Sequence, residues 1–297
     1  MRLLLLGGTG QVGEEFRALA MPHGVEVVAP GRDALELEDA DAISRVIAAG
    51  PWSAVINAAA YTQVDRAESE PAVAFAVNAA APSRLSAETG QRGIPLVHIS
   101  TDYVFDGKQG APYHEQDAVA PLNVYGRSKL AGEEGVRAGN PLHVILRTSW
   151  VYSPYGANFV KTILRLAAER DRLTVVADQR GCPTAARDIA QACLEIAMQC
   201  VSVPKQSPYG IYHLAGAGEA SWFELAETIV DLSTRRRARS PQVVPIRTCD
   251  YPTAAARPPD TRLDCTAIVR AFGVAARPWR EALEETINRL PPDKDLP

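Results

Sequence analysis

The first thirteen residues constrain the fold of this chain more than any other stretch. Arg2–Leu6 is a short, unbroken apolar run that stops at a glycine-rich segment, GGTGQVG at 7–13, and residues 14–20 then have helical character. A run without polar alternation is typical of a strand buried on both faces of a parallel sheet. Strand, glycine-rich turn and helix in this order predict a dinucleotide-binding unit, because glycines allow a tight turn and let the backbone approach a pyrophosphate.

Details of this unit indicate which dinucleotide binds. Gly7, Gly10 and Gly13 are spaced G-x-x-G-x-x-G, one residue wider at the first step than the familiar fingerprint, and the next helix would offer free N–H groups to phosphate oxygens. After the second predicted strand, at 25–29, the chain carries Arg32 where NAD-selective sites place an acid. A guanidinium can pair with a 2′-phosphate, so the sequence favours NADPH over NADH. The alternative is that Arg32 is an exposed loop residue without a role in cofactor binding.

Strand-like and helical patterns alternate regularly through the first half of the chain. Beyond about residue 150 the elements become shorter and mixed. Such alternation predicts an α/β fold, a Rossmann-type doubly wound parallel sheet. We therefore expect residues 1–150 to form the dinucleotide-binding core and residues 151–297 to form mainly a smaller, mixed α/β substrate-binding lobe. The two are expected to be partly interleaved, with later segments returning to the core.

Composition excludes several classes of partner. A net charge of −4 over 297 residues provides no surface for nucleic acid or anionic membranes, and we interpret the single basic cluster, RRRAR at 235–239, as a solvated helix end or loop. No segment approaches the ~20 apolar residues that a membrane span needs. Five cysteines without a C-x-x-C pair favour reduced thiols in a cytoplasmic protein.

Residues 98–129 carry the chemistry. Thr101 and Asp102 follow an apolar strand-like run at 96–99, and the carboxyl ends of strands are where ligands bind in open α/β sheets. Tyr125 and Lys129 are four residues apart, so on a helix they share one face. A neighbouring ammonium would lower the pKa of the phenol and make Tyr125 a proton donor near neutral pH. Taken alone, Y-x-x-x-K also describes a common surface pair.

These motifs together resemble the dTDP-4-dehydrorhamnose reductase family, within the extended short-chain dehydrogenase/reductase superfamily. The matching segments are collinear and cover nearly the whole chain: GGTGQVG at 7–13, NAAAYTQVDRAE at 57–68, STDYVFDG at 100–107, PLNVYGRSKLAGE at 121–133, RTSWVY at 147–152, DQRGCPT at 178–184 and RPPDTRL at 257–263. The resemblance implies that NADPH or NADH reduces the C4 keto group of a nucleotide-linked deoxysugar, converting dTDP-4-dehydro-L-rhamnose to dTDP-L-rhamnose.

The resemblance also implies roles for individual positions. Tyr125 would protonate the developing alkoxide, Lys129 would assist it and bind the nicotinamide ribose, and Thr101 would hydrogen-bond the substrate oxygen. With the glycine turn and Arg32 included, the expected cofactor-binding residues are Gly7, Gly10, Gln11, Val12, Arg32, Glu36, Leu37, Ala60, Tyr61, Thr62, Tyr125 and Lys129. The expected substrate-binding residues are Thr101, Asp102 and Trp150 beside the sugar, and Asn158, Gln179 and Arg257 for the diphosphate.

One departure concerns metals and assembly. Some members of this family are dimers with a magnesium ion held by glutamates at the interface. Glu15 matches one such position, but Arg187 stands where that pattern needs an acid. We therefore predict no metal site and leave a homodimer open.

Other functions remain as alternatives at this point. A sugar-nucleotide epimerase or another ketoreductase of the same superfamily would share the cofactor site and the tyrosine. The dehydratases of this superfamily need an Asp-Glu pair after the threonine, whereas Asp102 is followed here by Tyr103. A non-catalytic NADP-binding regulatory subunit is the third alternative, which the presence of Thr101, Tyr125 and Lys129 disfavours.

Overall fold

The computed structural model describes residues 1–234 and 241–290. Its strands are β1 (Arg2–Leu6), β2 (Glu26–Val28), β3 (Ala54–Asn57), β4 (Leu96–Thr101), β5 (His143–Thr148), β6 (Val151–Tyr152), β7 (Arg172–Val176), β8 (Arg180–Gly181), β9 (Thr184–Ala185), β10 (Gly210–His213), β11 (Ala220–Ser221) and β12 (Gln242–Ile246). Its α-helices are α1 (Gln11–Arg17), α2 (Ala40–Ala48), α3 (Val64–Ala67), α4 (Pro71–Phe75), α5 (Ala81–Gln91), α6 (Val124–Gly139), α7 (Phe159–Glu169), α8 (Ala186–Ser202), α9 (Trp222–Thr234), α10 (Thr266–Phe272) and α11 (Trp279–Arg289).

The central sheet has six parallel strands in the order β2-β1-β3-β4-β5-β10. The chain moves outward from β1 to β2 and then resumes at β3 on the other side of β1, so the strand order reverses between β1 and β3. A crevice forms at such a reversal, outside the carboxyl ends of the strands. This arrangement confirms the prediction of a Rossmann-type doubly wound sheet.

Strand β1 shows why the sequence folds this way. Leu3 and Leu5 pack into a core cluster with α1 and α8 on one face of the sheet, while Leu4 and Leu6 pack with α2 and α5 on the other. All four side chains are at most 2% exposed, and each contributes about 1.5–3 kcal/mol through apolar burial. Because helices cover both faces, the strand has no polar alternation.

The second half of the chain forms a separate core cluster from α7, β7, α9 and α11, with Leu173, Ile229 and Leu283 among its buried residues. Strand β12 pairs with β7 beside this cluster. Two later elements return to the first half: β10 pairs with β5, and α8 packs against α1. The basic cluster at 235–239 lies outside the described residues. Within 1–234 and 241–290, no helix has the length and apolar character to cross a bilayer.

Candidate active site

A cavity of about 1310 Å³ follows the carboxyl ends of the sheet strands into the second half of the chain. It exceeds the ~300–1,000 Å³ typical of a single small-molecule pocket, so it has room for two ligands. Most of the residues expected from the sequence line it: Gly7, Gly10, Gln11, Val12, Arg32, Glu36, Leu37, Ala60, Tyr61, Thr62, Thr101, Asp102, Tyr125, Lys129, Trp150 and Asn158.

The glycine turn at one end of the cavity admits no side chain at two positions. Gly7 has φ +78°, and a Cβ there would lie 2.6 Å from the backbone nitrogen of Ala59. A Cβ on Gly13 would lie 2.1 Å from the carbonyl oxygen of Gly7. Gly10 is the N-cap of α1 and has no side chain to cap it, which leaves N–H groups of the first turn for a ligand. This cradle fits the pyrophosphate of a dinucleotide.

A hydrogen bond joins the glycine turn to the second half of the chain. The Asn158 Nδ2 donates to the Gln11 Oε1 at 3.0 Å and to the Ser153 carbonyl oxygen at 2.8 Å. The Asn158 Oδ1 accepts from the Lys161 N–H at 3.1 Å, so Asn158 is also the N-cap of α7. Gln11, predicted to bind the cofactor, and Asn158, predicted to bind the substrate, thus contact each other.

Thr101 and Asp102 lie at the end of β4 and are both buried. The Thr101 hydroxyl donates to the Asp102 Oδ1 at 3.0 Å, and the Ser149 hydroxyl donates to the Asp102 Oδ2 at 2.9 Å. Thr261 adds a third hydroxyl. Burial raises the pKa of Asp102 to about 6, opposed by hydrogen bonds from Thr261, Ser149 and Thr101. The Asp102 carboxylate is therefore engaged by three protein hydroxyls, one of which is that of Thr101.

Tyr125 and Lys129 lie on one face of α6, as the spacing predicts, but the expected lowering of the tyrosine pKa is wrong. Burial raises the pKa of Tyr125 to about 12, opposed by a hydrogen bond with Thr101 and aided by the charge of Asp102. The Lys129 ammonium donates to the Ile99 carbonyl oxygen at 2.7 Å. Burial lowers the pKa of Lys129 to about 8, opposed by the charge of Glu133. The tyrosine is thus fully protonated at neutral pH, as a proton donor must be.

A buried ion pair lies under Lys129. Glu133 follows Lys129 by one turn of α6 and is 1% exposed, while Arg147 in β5 is 3% exposed. The Arg147 Nη2 donates to the Glu133 Oε2 at 2.7 Å and its Nε donates to Oε1 at 3.0 Å. The Ser100 hydroxyl donates to the same Oε1 at 2.5 Å. These contacts attach α6, which carries the tyrosine and lysine, to β4 and β5.

A π-helical turn positions Tyr61. Residues 76–80 form a single π turn between α4 and α5, and such turns are often found at functional sites. The turn aims the Asn78 carboxamide at Tyr61: Oδ1 accepts from the Tyr61 N–H at 2.8 Å and Nδ2 donates to the Tyr61 carbonyl oxygen at 3.0 Å. The Tyr61 hydroxyl donates to Glu70 at 2.7 Å. Asn78 was not anticipated, because a mid-helix asparagine carries no local signal.

Trp150 has an unusual backbone. With φ 46°, it is the one non-glycine residue of left-handed conformation in 1–234 and 241–290, at a cost of about 1–3 kcal/mol. Its ring stacks on that of Trp222, a cavity-lining residue that the sequence did not single out. Ser221 and Glu224 in the sequence S-W-F-E form a reciprocal capping pair, which was the available signal because it fixes an aromatic residue at the start of α9.

Two residues expected at the substrate diphosphate do not line the cavity. The Gln179 Nε2 donates to the Thr248 Oγ1 at 3.1 Å. The Arg257 guanidinium forms a two-point ion pair with Asp65, with N–O distances of 3.0 and 2.6 Å. Both side chains are engaged within the protein, because loops distant in sequence bring partners to them.

Glu15 is 1% exposed and carries two cationic neighbours. The Arg289 guanidinium donates to its two carboxylate oxygens at 2.8 and 2.9 Å, and the Arg187 Nη1 lies 3.7 Å from Oε2. Within the described ranges, no group of three or more His, Cys, Asp or Glu side chains is placed to hold a metal ion. Arginines thus balance the Glu15 charge at the position where the resemblance implies a metal in some relatives.

Comparison with known proteins gives a consistent result. The family model described as "RmlD substrate binding domain" matches residues 1–291. A dTDP-4-dehydrorhamnose reductase of Sinorhizobium fredii is 44% identical over 290 residues, which are 98% of each chain. The chain belongs to the dTDP-4-dehydrorhamnose reductase family. The sequence resemblance is therefore confirmed.

Solved structures of this family share the fold. The dTDP-4-dehydrorhamnose reductase of Clostridium acetobutylicum superimposes with a TM-score of 0.89 at 35% identity, covering 97% of this chain and 99% of that one. The dTDP-4-dehydrorhamnose reductase of Bacillus anthracis, solved in complex with NADP, has a TM-score of 0.88 at 33% identity, covering 97% and 98%.

Proposed function

We propose that this protein reduces the C4 keto group of dTDP-4-dehydro-L-rhamnose to give dTDP-L-rhamnose, with NADPH as the reductant. The observation that carries the proposal is the convergence of the glycine turn, Thr101, Tyr125 and Lys129 on one cavity, in a chain of this family. The reductase of Bacillus anthracis bound to NADP supports the choice of cofactor.

The protein's own groups have distinct parts in this reaction. NADPH, when bound, supplies the hydride. Tyr125, protonated at neutral pH, donates its phenolic proton to the oxygen that develops at C4. We assign Lys129 to stabilising the resulting phenolate and Thr101 to orienting the substrate oxygen. The Thr101 hydroxyl, which donates to Asp102 here, would turn to donate to the substrate oxygen, and Asp102 would keep the hydroxyls of Ser149 and Thr261.

The remaining site assignments follow from position. We assign the glycine turn to the cofactor pyrophosphate, Glu36 and Leu37 to the adenine edge, and Tyr61 with its neighbours to the nicotinamide side. Trp150 and Asn158, which line the cavity, are assigned to the substrate, whereas Gln179 and Arg257 are left out because they do not line it.

Arg32 gives a test of cofactor choice. It lies exposed at the cavity edge, where a guanidinium would meet a 2′-phosphate. We expect Arg32→Ala to weaken NADPH roughly tenfold, the value of one charge-assisted hydrogen bond, and to leave NADH affinity nearly unchanged. Fluorescence titration of both cofactors measures this. The matched control is Arg165→Ala, an exposed arginine of α7 outside the cavity. Equal weakening of both cofactors would show that Arg32 does not contact the 2′-phosphate.

The pH dependence follows from Lys129. Its pKa of about 8 means that its charge is lost as pH rises through that value, whereas Tyr125, with a pKa of about 12, stays protonated. We therefore expect kcat/KM for the keto sugar to fall above pH about 8. In Lys129→Arg, which keeps a positive charge, this alkaline decline should disappear. A wild-type profile that stays flat well above that pH would contradict the assignment of Lys129.

One experiment separates the proposed function from its alternatives. Purified protein is mixed with NADPH and dTDP-4-dehydro-L-rhamnose, and the loss of NADPH absorbance is followed together with the sugar product. Stoichiometric oxidation of NADPH is expected. An epimerase would convert the sugar without net oxidation, and a regulatory subunit would bind NADPH and leave the sugar unchanged.

Three broader assignments complete the proposal. Residues 1–150 are assigned to the dinucleotide-binding core, with the later segment of α8 and β10 added to it, and the remainder of 151–297 to the substrate-binding lobe. The five cysteines are free, which supports a reducing compartment, and we place the reaction in the cytoplasm. A homodimer is compatible with these assignments.

A further inference from the structure

Three aromatic side chains form one wall of the cavity. Trp150 follows β5, Phe159 begins α7 and Trp222 begins α9. The rings of Trp150 and Trp222 are stacked, with centroids 3.5 Å apart and planes 5° apart, and the Phe159 centroid lies 4.6 Å from that of Trp222. We name these three residues the aromatic wall. All three are half-buried, so part of each ring faces the cavity.

The aromatic wall is held in place from both sides. A reciprocal capping pair fixes the start of α9: the Ser221 hydroxyl accepts from the Glu224 N–H at 3.1 Å, and the Glu224 carboxylate accepts from the Ser221 N–H at 2.6 Å. Gly181 lies against the Trp150 ring so closely that a Cβ would be 2.4 Å from Cε2. Because both indoles are constrained, the aromatic wall is a shaped surface before any ligand arrives.

The aromatic wall begins beside the reacting groups. Trp150 directly follows Ser149, whose hydroxyl donates to Asp102, and Asp102 in turn accepts from Thr101. A sugar whose C4 oxygen reaches Thr101 and Tyr125 therefore places the neighbouring ring carbons near Trp150. In the proposed substrate, C3 carries a hydroxyl group and C5 carries a methyl group. The aromatic wall offers ring carbon and no hydrogen-bond acceptor for a hydroxyl proton, so it suits the methyl side.

We propose that the aromatic wall binds the C5 methyl group and that Trp222 determines the preference for a 6-deoxy sugar over its 6-hydroxy counterpart. This inference rests on the proposed function and adds a specificity residue to it. A hydroxyl group at C6 would lose water against the rings without gaining an acceptor. Apolar pockets reject an added hydroxyl group only moderately, so the expected preference is about 10- to 100-fold in kcat/KM.

The test compares two sugars in the full-length protein with NADPH. The probes are the proposed substrate, dTDP-4-dehydro-L-rhamnose, and the corresponding dTDP-4-keto sugar that carries a hydroxyl group at C6. In Trp222→Ala and Trp222→Leu, the preference should fall towards one, mainly through a higher KM for the 6-deoxy sugar, with NADPH affinity unchanged. Trp222→Phe, which keeps a ring, should retain an intermediate preference. Phe223→Leu, the next residue of α9 and outside the cavity lining, should keep the wild-type preference.

Equilibrium affinities for both sugars are measured by calorimetry alongside turnover, so the preference can be determined without catalysis. The inference is overturned if the wild type binds and reduces both sugars equally well. It is also overturned if Trp222→Leu weakens both sugars by the same factor. A wild type that binds the 6-deoxy sugar preferentially but never oxidises NADPH would support the inference and contradict the proposed reduction.

Discussion

Tyr125→Phe is expected to lower kcat about 10²- to 10⁴-fold while NADPH affinity stays near that of the wild type. The reason is that phenylalanine preserves the ring and its edge-on contact with Tyr103, at a centroid distance of 5.7 Å, but has no proton to give. Loss of one positioned proton donor has an effect of this size. Steady-state rates at saturating NADPH, with a separate cofactor titration, measure the two quantities.

Tyr212→Phe is the matched control for this change. Its hydroxyl donates to the Pro208 carbonyl oxygen near the surface, away from the cavity, so the same atom is removed without consequence for the reaction. Wild-type turnover in Tyr125→Phe would refute the assigned role. A parallel loss of NADPH binding would instead show that the phenol holds the cofactor.

Glu133→Gln is expected to destabilise the protein by about 3–5 kcal/mol. The substitution keeps the shape of the side chain but leaves the buried Arg147 guanidinium without its counter-charge, and breaking a buried pair from one side has a cost of this order. Denaturant unfolding at neutral pH measures the change in the free energy of unfolding.

Glu169→Gln provides the comparison for Glu133. Glu169 pairs with Arg165 at 3.3 Å on the exposed side of α7, where solvent screens the interaction. The unfolding midpoint of the Glu169→Gln variant should therefore equal that of the wild type within measurement error. If Glu133→Gln were as harmless as Glu169→Gln, the Arg147 charge would have to be balanced by another group, and the attachment of α6 to the sheet would need a different explanation.

The parts of the site that depend on local pattern could be predicted from the sequence. The glycine turn needs only its own residues and the end of β3, and the relation of Tyr125 to Lys129 follows from helical spacing. Thr101 could be placed because an unbroken apolar run marks β4 and the carboxyl end of a parallel strand faces the ligand.

What could not be predicted depends on partners far apart in the chain. Thr261 reaches Asp102 across the fold, and Asp65 takes up the Arg257 guanidinium. No spacing rule connects such pairs, so the sequence could not show that Arg257 and Asp102 hydrogen-bond within the protein. The prediction that Lys129 lowers the pKa of Tyr125 was wrong for a related reason. Burial is a property of the packed molecule, and it raises the pKa of Tyr125 despite the neighbouring lysine.

The return of α8 and β10 to the first sheet affects how the chain folds. Helix α8 contributes Ile189, Cys193 and Ile196 to the core cluster that covers one face of β1 and β3. During synthesis from the N-terminus, that face of the nascent sheet is exposed until residue 202 has emerged, and its sixth strand is added only with residue 213. Contacts over such separations slow folding and leave apolar strands exposed to other chains in the meantime. The interleaved topology thus makes chaperone protection most valuable while the middle third of the protein is being made.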